Sequence, residues 1–190
     1  MRFIKKTLLA LTLSSITTLT ISHSASAANL RNVALEGTAT ASRTYRGSDL
    51  FAPNNAIDGD ETTSWNAGEH PTQWLEIDLG EAAYIHEIVG IVAQSPAGGT
   101  RHDIYLDDIF SFRWEGFTTS GQTLSHELNT PTLAQTVRIL STAGPSWVAW
   151  REVKVLAGPG PKKSSVPEPS MIFSLAAMGV GGLVAARRKA

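Results

Sequence analysis

Apolar and polar positions alternate with period two through most of the middle of the chain. In "QWLEIDLG", Gln73 to Gly80, the reading sets Trp74, Ile77 and Leu79, with Leu75 beside them, against Gln73, Glu76 and Asp78. "YIHEIVGIVA", Tyr84 to Ala93, is β-branched and aromatic, and "TVRIL" (Thr136 to Leu140) and "EVKVL" (Glu152 to Leu156) alternate again. Turn residues punctuate these runs at Gly80-Glu81, Pro96 to Gly99, Gly121, Pro131 and Gly144-Pro145. No long amphipathic helix competes, and one helical turn is expected around Asp49 to Ala56. "LDDIFSFRWEGF", Leu106 to Phe117, reads as a strand pair against the core. Extended, it would point Asp107 and Asp108 to opposite faces and make them poor partners in a catalytic pair. Many short strands with regular turns predict an all-β sandwich or barrel over residues 28–157, with its first and last strands side by side.

The ends differ from the middle. Met1 to Ala27 has Arg2, Lys5 and Lys6, a Thr-diluted apolar run, and then Ala25-Ser26-Ala27, a small-x-small site for signal peptidase. It predicts an exported chain cut after Ala27, with an uncleaved anchor as the alternative. Residues 158–170, "GPGPKKSSVPEPS", read as a linker. Residues 171–190 hold the apolar run Met171 to Ala186 and the basic Arg187-Arg188-Lys189, read as a transmembrane helix with its basic end cytoplasmic. Val166-Pro167-Glu168-Pro169, the apolar run and the terminal arginines together resemble the PEP-CTERM sorting signal. That resemblance implies processing by an exosortase-type protease. It also implies a transient membrane anchor and a final place at the cell surface or in the extracellular matrix.

The chain has 190 residues, a formal net charge of -1 and no cysteine. The charge argues against a nucleic-acid partner found by bulk electrostatics. Without disulfides, an exported fold rests on core burial, with or without a metal. "NNAIDGDETTSW", Asn54 to Trp65, offers oxygen donors. Asp58 supplies a carboxylate, Gly59 a tight turn, and Thr63 a hydroxyl and a carbonyl, which suits a hard cation wanting six to eight oxygens. The spacing is not that of an EF-hand, and one carboxylate leaves such an ion under-neutralised, so a second is expected from elsewhere. The alternative is a solvated Asp-Gly turn. Trp65 and Trp74 are both expected in the core.

The order of these pieces resembles the discoidin, or coagulation-factor type C, family. It runs Asn32-Val33-Ala34, "ATAS", "NAIDGDETTSW", "WLEIDLG", a strand of Ile and Val, and a closing "WREVKV". The resemblance implies a galactose-binding-like jelly-roll β-sandwich and a structural calcium ion. Carried onto this chain, the calcium ligands are the carbonyls of Asn55 and Asp60, the Asp58 side chain, Thr63 through hydroxyl and carbonyl, and Glu152 on the last strand. The Arg151 carbonyl is a further candidate. The family also implies a sugar site in loops at one end of the sandwich. The loop candidates are Arg43, Tyr45 and Arg46 in "SRTYRGSD", Glu69 and His70 in "NAGEHPTQ", Arg101 and His102 in "GGTRHD", and Trp147 and Trp150 in "GPSWVAW". At least two of Tyr45, His70, Arg101 and Trp147 are expected to line one groove. Surface ion pairs and turn roles are the plainer readings of the charged ones, and Arg101 is a possible cross-strand partner of Asp103.

No catalytic constellation is present: no Cys, no Gly-x-Ser-x-Gly, no His-Glu-x-x-His and no phosphate loop. "HEIVG" at His86 lacks the second histidine. The expectation is a non-catalytic protein that binds carbohydrate, either exopolysaccharide or a cell-surface glycan. A structural or adhesive matrix component is the alternative, with a hydrolase weighed below both.

Overall fold

A computed structural model describes residues 29–161. The expected signal segment, most of the linker and the apolar run Met171 to Ala186 lie outside the described residues. The described residues form eight strands: β1 (Arg31–Asn32), β2 (Thr38–Ala41), β3 (Trp65–Asn66), β4 (Gln73–Val92), β5 (Gly98–Leu106), β6 (Ile109–Thr118), β7 (Thr123–Ala143) and β8 (Ala149–Gly158). Their pairing order is β1-β8-β4-β7-β5-β6, with β2 on β4 and β3 on β8.

Two long strands convert this order into two layers. The first half of β4 pairs with β2 and with the second half of β7, from Gln73↔Ser141 to Asp78↔Thr136. The register then shifts between Asp78 and Ala83, next to Gly80 at φ 78°. Beyond it, β4 pairs with the first half of β7 and with β8. One layer is β2, the first half of β4, the second half of β7, β5 and β6. The other is β1, β3, β8, the second half of β4 and the first half of β7. Leu75, Ile77, Ile104, Val137 and Ile139 of the first layer and Ile85, Ile88, Val153 and Val155 of the second are fully buried between them. β1 lies beside β8, Arg31↔Ala157, so the first and last strands are neighbours as the pattern predicts.

Three sequence expectations change here. Trp74 is only half-buried and faces outward under Arg138, whose guanidinium sits 5.7 Å from the ring centroid, while Gln73 is buried in its place. Strict alternation from Leu75, Ile77 and Leu79 forces this parity. Gln73 tolerates the interior because its amide accepts from Ser42 Oγ at 2.7 Å and donates to the His70 carbonyl at 3.1 Å. Asp107 and Asp108 are not extended: at φ 47° and 63° they form the two-residue turn between β5 and β6, a left-handed geometry that Asp accommodates. The region before the acidic loop holds three short 3-10 turns, Tyr45–Gly47, Asp49–Phe51 and Pro53–Ala56, instead of a single helical turn.

The two ends of the sandwich are unlike. One end gathers the turns at residues 66–72, 93–97, 119–122 and 144–148. The other holds the β4 bend, the Asp107-Asp108 turn, β1 and the exit of β8, where Gly158 stands opposite Tyr84. β8 has ten residues, so these ends are separated by roughly 30 Å.

Candidate functional site

Trp147 sits in the turn between β7 and β8 and is 43% exposed, although it is a large aromatic. The Tyr45 ring lies against it at 5.1 Å between centroids, and Phe51 meets Tyr45 edge-on at 5.4 Å. Gly68, at φ 66°, brings its backbone so close to Tyr45 that an added Cβ would lie 2.4 Å from the ring. The platform is therefore braced by backbone.

Beside it opens a pocket of about 530 Å³ whose lining includes Asn66, His70, Gln94, Ser120, Ser146 and Trp147. Aromatic face, amide, imidazole and hydroxyls are the groups that recognise a polyol: the face takes C–H surface and the polar groups take hydroxyls. His70 and Trp147 thus share one pocket, with Tyr45 behind Trp147. Arg43 lies near Glu69 at 3.5 Å, and its carbonyl accepts from Trp65 Nε1 at 2.9 Å. Arg101 does not reach the pocket. It points from the outer face of β5 to Glu115 at 2.7 Å, which is its register partner, and Asp103 pairs instead with Arg113.

Asn66, Gln94, Ser120 and Ser146 were not singled out by the sequence, because nothing local marks them. Gln94 is fixed by Thr118, whose hydroxyl donates to its Oε1 at 3.0 Å and whose carbonyl accepts from its Nε2 at 3.2 Å. His102 and Trp150, both loop candidates from the sequence, are instead buried and line no part of this pocket: the His102 ring is edge-on to Trp150, with Nδ1 2.8 Å from Ser141 Oγ. Burial pushes its pKa down to about 4, the nearby Asp103 opposing, so it is neutral at ordinary pH.

A second cluster lies on the outer face of β8. Val153 points into the core, so its neighbour Glu152 points outward, under the acidic loop, and is nevertheless fully buried. The Gly59 N–H donates to Glu152 Oε2 at 3.3 Å across 93 residues of chain. Gly59 is at φ 83°, a conformation that favours glycine. The other carboxylate oxygen, Oε1, is buried with no partner. Burial pushes the Glu152 pKa up to about 7; the Gly59 N–H opposes this, and the negative Asp58 adds to it.

Around Thr63 Oγ1 three oxygens converge: Asp58 Oδ2 at 2.8 Å, the Asp60 carbonyl at 2.8 Å and the Asn55 carbonyl at 3.2 Å. One hydroxyl proton cannot serve three acceptors. The Asp60 carboxylate is occupied elsewhere, by the Thr62 N–H and hydroxyl, which hold its pKa low. No three His, Cys, Asp or Glu side chains converge among the described residues. The donors here are two carboxylates, carbonyls and a hydroxyl, and that donor set fits a hard cation better than a soft one.

Comparison with known proteins agrees with this architecture. The family model "F5/8 type C domain" matches residues 38–153, and the model "PEP-CTERM protein-sorting motif" matches residues 165–189. The polysaccharide lyase 8 family protein HylA of Enterococcus faecalis is 49% identical over 47 residues, which is 24% of this chain and only 3% of that protein. Among solved structures, the family 32 CBM from C. perfringens NanJ in complex with galactose superposes with a TM-score of 0.55 at 21% identity. The match covers 66% of this chain and 96% of that one. CBM32-1 from a family 31 glycoside hydrolase of Clostridium perfringens gives 0.57 at 19% identity, with 66% and 96% covered.

Proposed function

The chain belongs to the F5/8 type C domain family, and from that premise we propose that it is an exported, non-catalytic protein that binds carbohydrate at the cell surface or in the surrounding matrix. The observation that carries this reading is the exposed Trp147, braced by Tyr45, at the mouth of a pocket with His70 and polar side chains. The galactose bound to the NanJ module and the sorting motif at residues 165–189 support it. In this reading residues 1–27 are a signal peptide and 28–157 the binding domain. Residues 158–170 are the linker carrying the Pro-Glu-Pro site, and 171–190 are a membrane-crossing segment retained until an exosortase-type enzyme acts. No helix among the described residues is long and apolar enough to cross a membrane.

The same reading gives the acidic loop a calcium ion held by Asp58, Thr63, Glu152 and the Asn55 and Asp60 carbonyls. The partnerless Glu152 oxygen and the crowded Thr63 hydroxyl support it. The ion would supply positive charge to neutralise two carboxylates. Glu152 and the loop would then clasp the first third of the chain to the last strand. A chain without cysteine has no covalent substitute for this.

The test is a screen of the exported chain against an array of glycans and bacterial exopolysaccharides. Binding to a defined set, strongly weakened by Trp147→Ala, is the expected result. A well-folded chain that binds none of them overturns the sugar reading in favour of a structural or adhesive matrix role.

A further inference from the structure

At one margin of the first layer, β6 has no strand on its outer side among the described residues. Open sheet edges offer a row of free N–H and C=O groups to any passing strand and are ordinarily blunted by shortness, proline or lysine. β1, β2 and β3 are indeed two to four residues long. β6 is ten residues, "IFSFRWEGFT", without proline or lysine. Its run against β5 is regular from Gly98↔Thr118 to Ile104↔Phe112, so Arg113, Glu115 and Phe117 form one outward row while Phe112, Trp114 and Thr118 are buried. Phe117 is 69% exposed.

We propose that β6 pairs antiparallel with β6 of a second copy of this chain, about a twofold axis at Trp114, to make a homodimer with a continuous sheet. A twofold axis perpendicular to the sheet keeps each face on its own side, so residues that stand opposite share parity and the axis falls on a residue. Charge then selects which one. An axis at Arg113 sets two guanidinium groups face to face, and an axis at Glu115 sets two carboxylates face to face. An axis at Trp114 sets Arg113 across from the partner's Glu115, and Glu115 across from the partner's Arg113.

Within each chain, Asp103 is already opposite Arg113, at 2.5 Å, and Arg101 opposite Glu115, at 2.7 Å. Across the four joined strands the row therefore reads Asp103, Arg113, the partner's Glu115, the partner's Arg101. The sign alternates at every step, and the twofold repeats the row. Directly opposed charges of opposite sign stabilise strand pairing, and like charges oppose it. If the pocket binds sugar as proposed above, the dimer carries two such pockets and gains avidity on a repeating polymer.

The chain has no cysteine, so single thiols report neighbours without background. Two full-length chains, Arg113→Cys and Glu115→Cys, are produced together in membranes and mildly oxidised. Directly opposed residues in a strand pair are within disulfide reach. The expected result is a disulfide dimer joining the two different chains, well above that from either chain mixed with an exposed β7 control, Ser125→Cys. A mixed yield no greater than the control overturns the proposal. In a second readout, sedimentation of the detergent-solubilised full chain, Glu115→Lys faces Arg113 twice across the axis and is expected to shift the wild-type dimer to monomer. A wild-type monomer, or a dimer unaffected by Glu115→Lys and therefore held elsewhere, equally overturns it.

Discussion

Trp147 and Glu152 stand five residues apart and show what single side chains can do at opposite extremes of burial. Trp147 keeps an aromatic face in solvent because Tyr45 and the Gly68 backbone hold it there. Truncating such a centrally placed aromatic costs roughly 2 kcal/mol or more of binding, about thirtyfold in Kd. Trp147→Ala is expected to lose that much glycan affinity in a titration while keeping its melting midpoint. Glu152 is the reverse case, a carboxyl held in the interior with its pKa raised to about 7. In cation-free protein its protonated form is favoured by folding. Its contribution is thus fully present below the unfolded value near 4.5 and is lost as pH rises through about 7. His102, with its pKa lowered to about 4, contributes stability above 6.5 that is lost as pH falls toward 4. In chelator, Glu152→Gln should therefore lose the decline in stability between pH 5 and 7 and keep only the acid-side fall. Thermal melts across pH compare the two. Asp58 and Thr63 were legible as oxygen donors from the loop alone. That Glu152 meets this loop was an implication of the family resemblance, because the loop lies 93 residues away in sequence.

Strands succeed or fail here by parity and close approach. The period-two pattern located β4, β7 and β8, yet it misassigned Trp74, because an aromatic at the start of a strand looks apolar on either face. Only the run Leu75, Ile77, Leu79 sets which face is interior. The turn at Asp107-Asp108 was missed for a related reason: two aspartates flanked by apolar residues look extended until pairing of β5 with β6 demands a reversal. Gly90, in the second half of β4, shows how tightly the layers meet. A Cβ there would lie 2.7 Å from the Trp150 ring and 3.2 Å from that of Trp114. Overpacking of this kind costs about 1–3 kcal/mol. Gly90→Ala is expected to lower unfolding stability by that amount in urea titration, whereas Gly99→Ala, where a Cβ meets nothing within 4 Å, should stay near wild type.

At the scale of the whole molecule, the pocket and the exit of β8 at Gly158 occupy opposite ends of the sandwich. The acidic loop and β8 meet across most of the chain, so a bound cation would stabilise the complete fold and not one hairpin. Adding calcium to chelated protein is expected to raise a single cooperative melting transition. No change in midpoint with intact folding would speak against calcium. By itself, the sequence determined the all-β class, the strand-rich middle, the sorting motif at the C-terminal end and the oxygen-rich loop from Asn54 to Trp65. These are local properties, written in periodicity, turn residues and the chemistry of adjacent side chains. Tertiary structure alone decided that His70 and Trp147 share a pocket with Asn66, Gln94 and Ser120, that Arg101 belongs to a charge row on β5 and β6, and that β6 is left as an open edge. Each of these depends on which distant strands become neighbours and on the register between them, and no stretch of sequence carries that information alone.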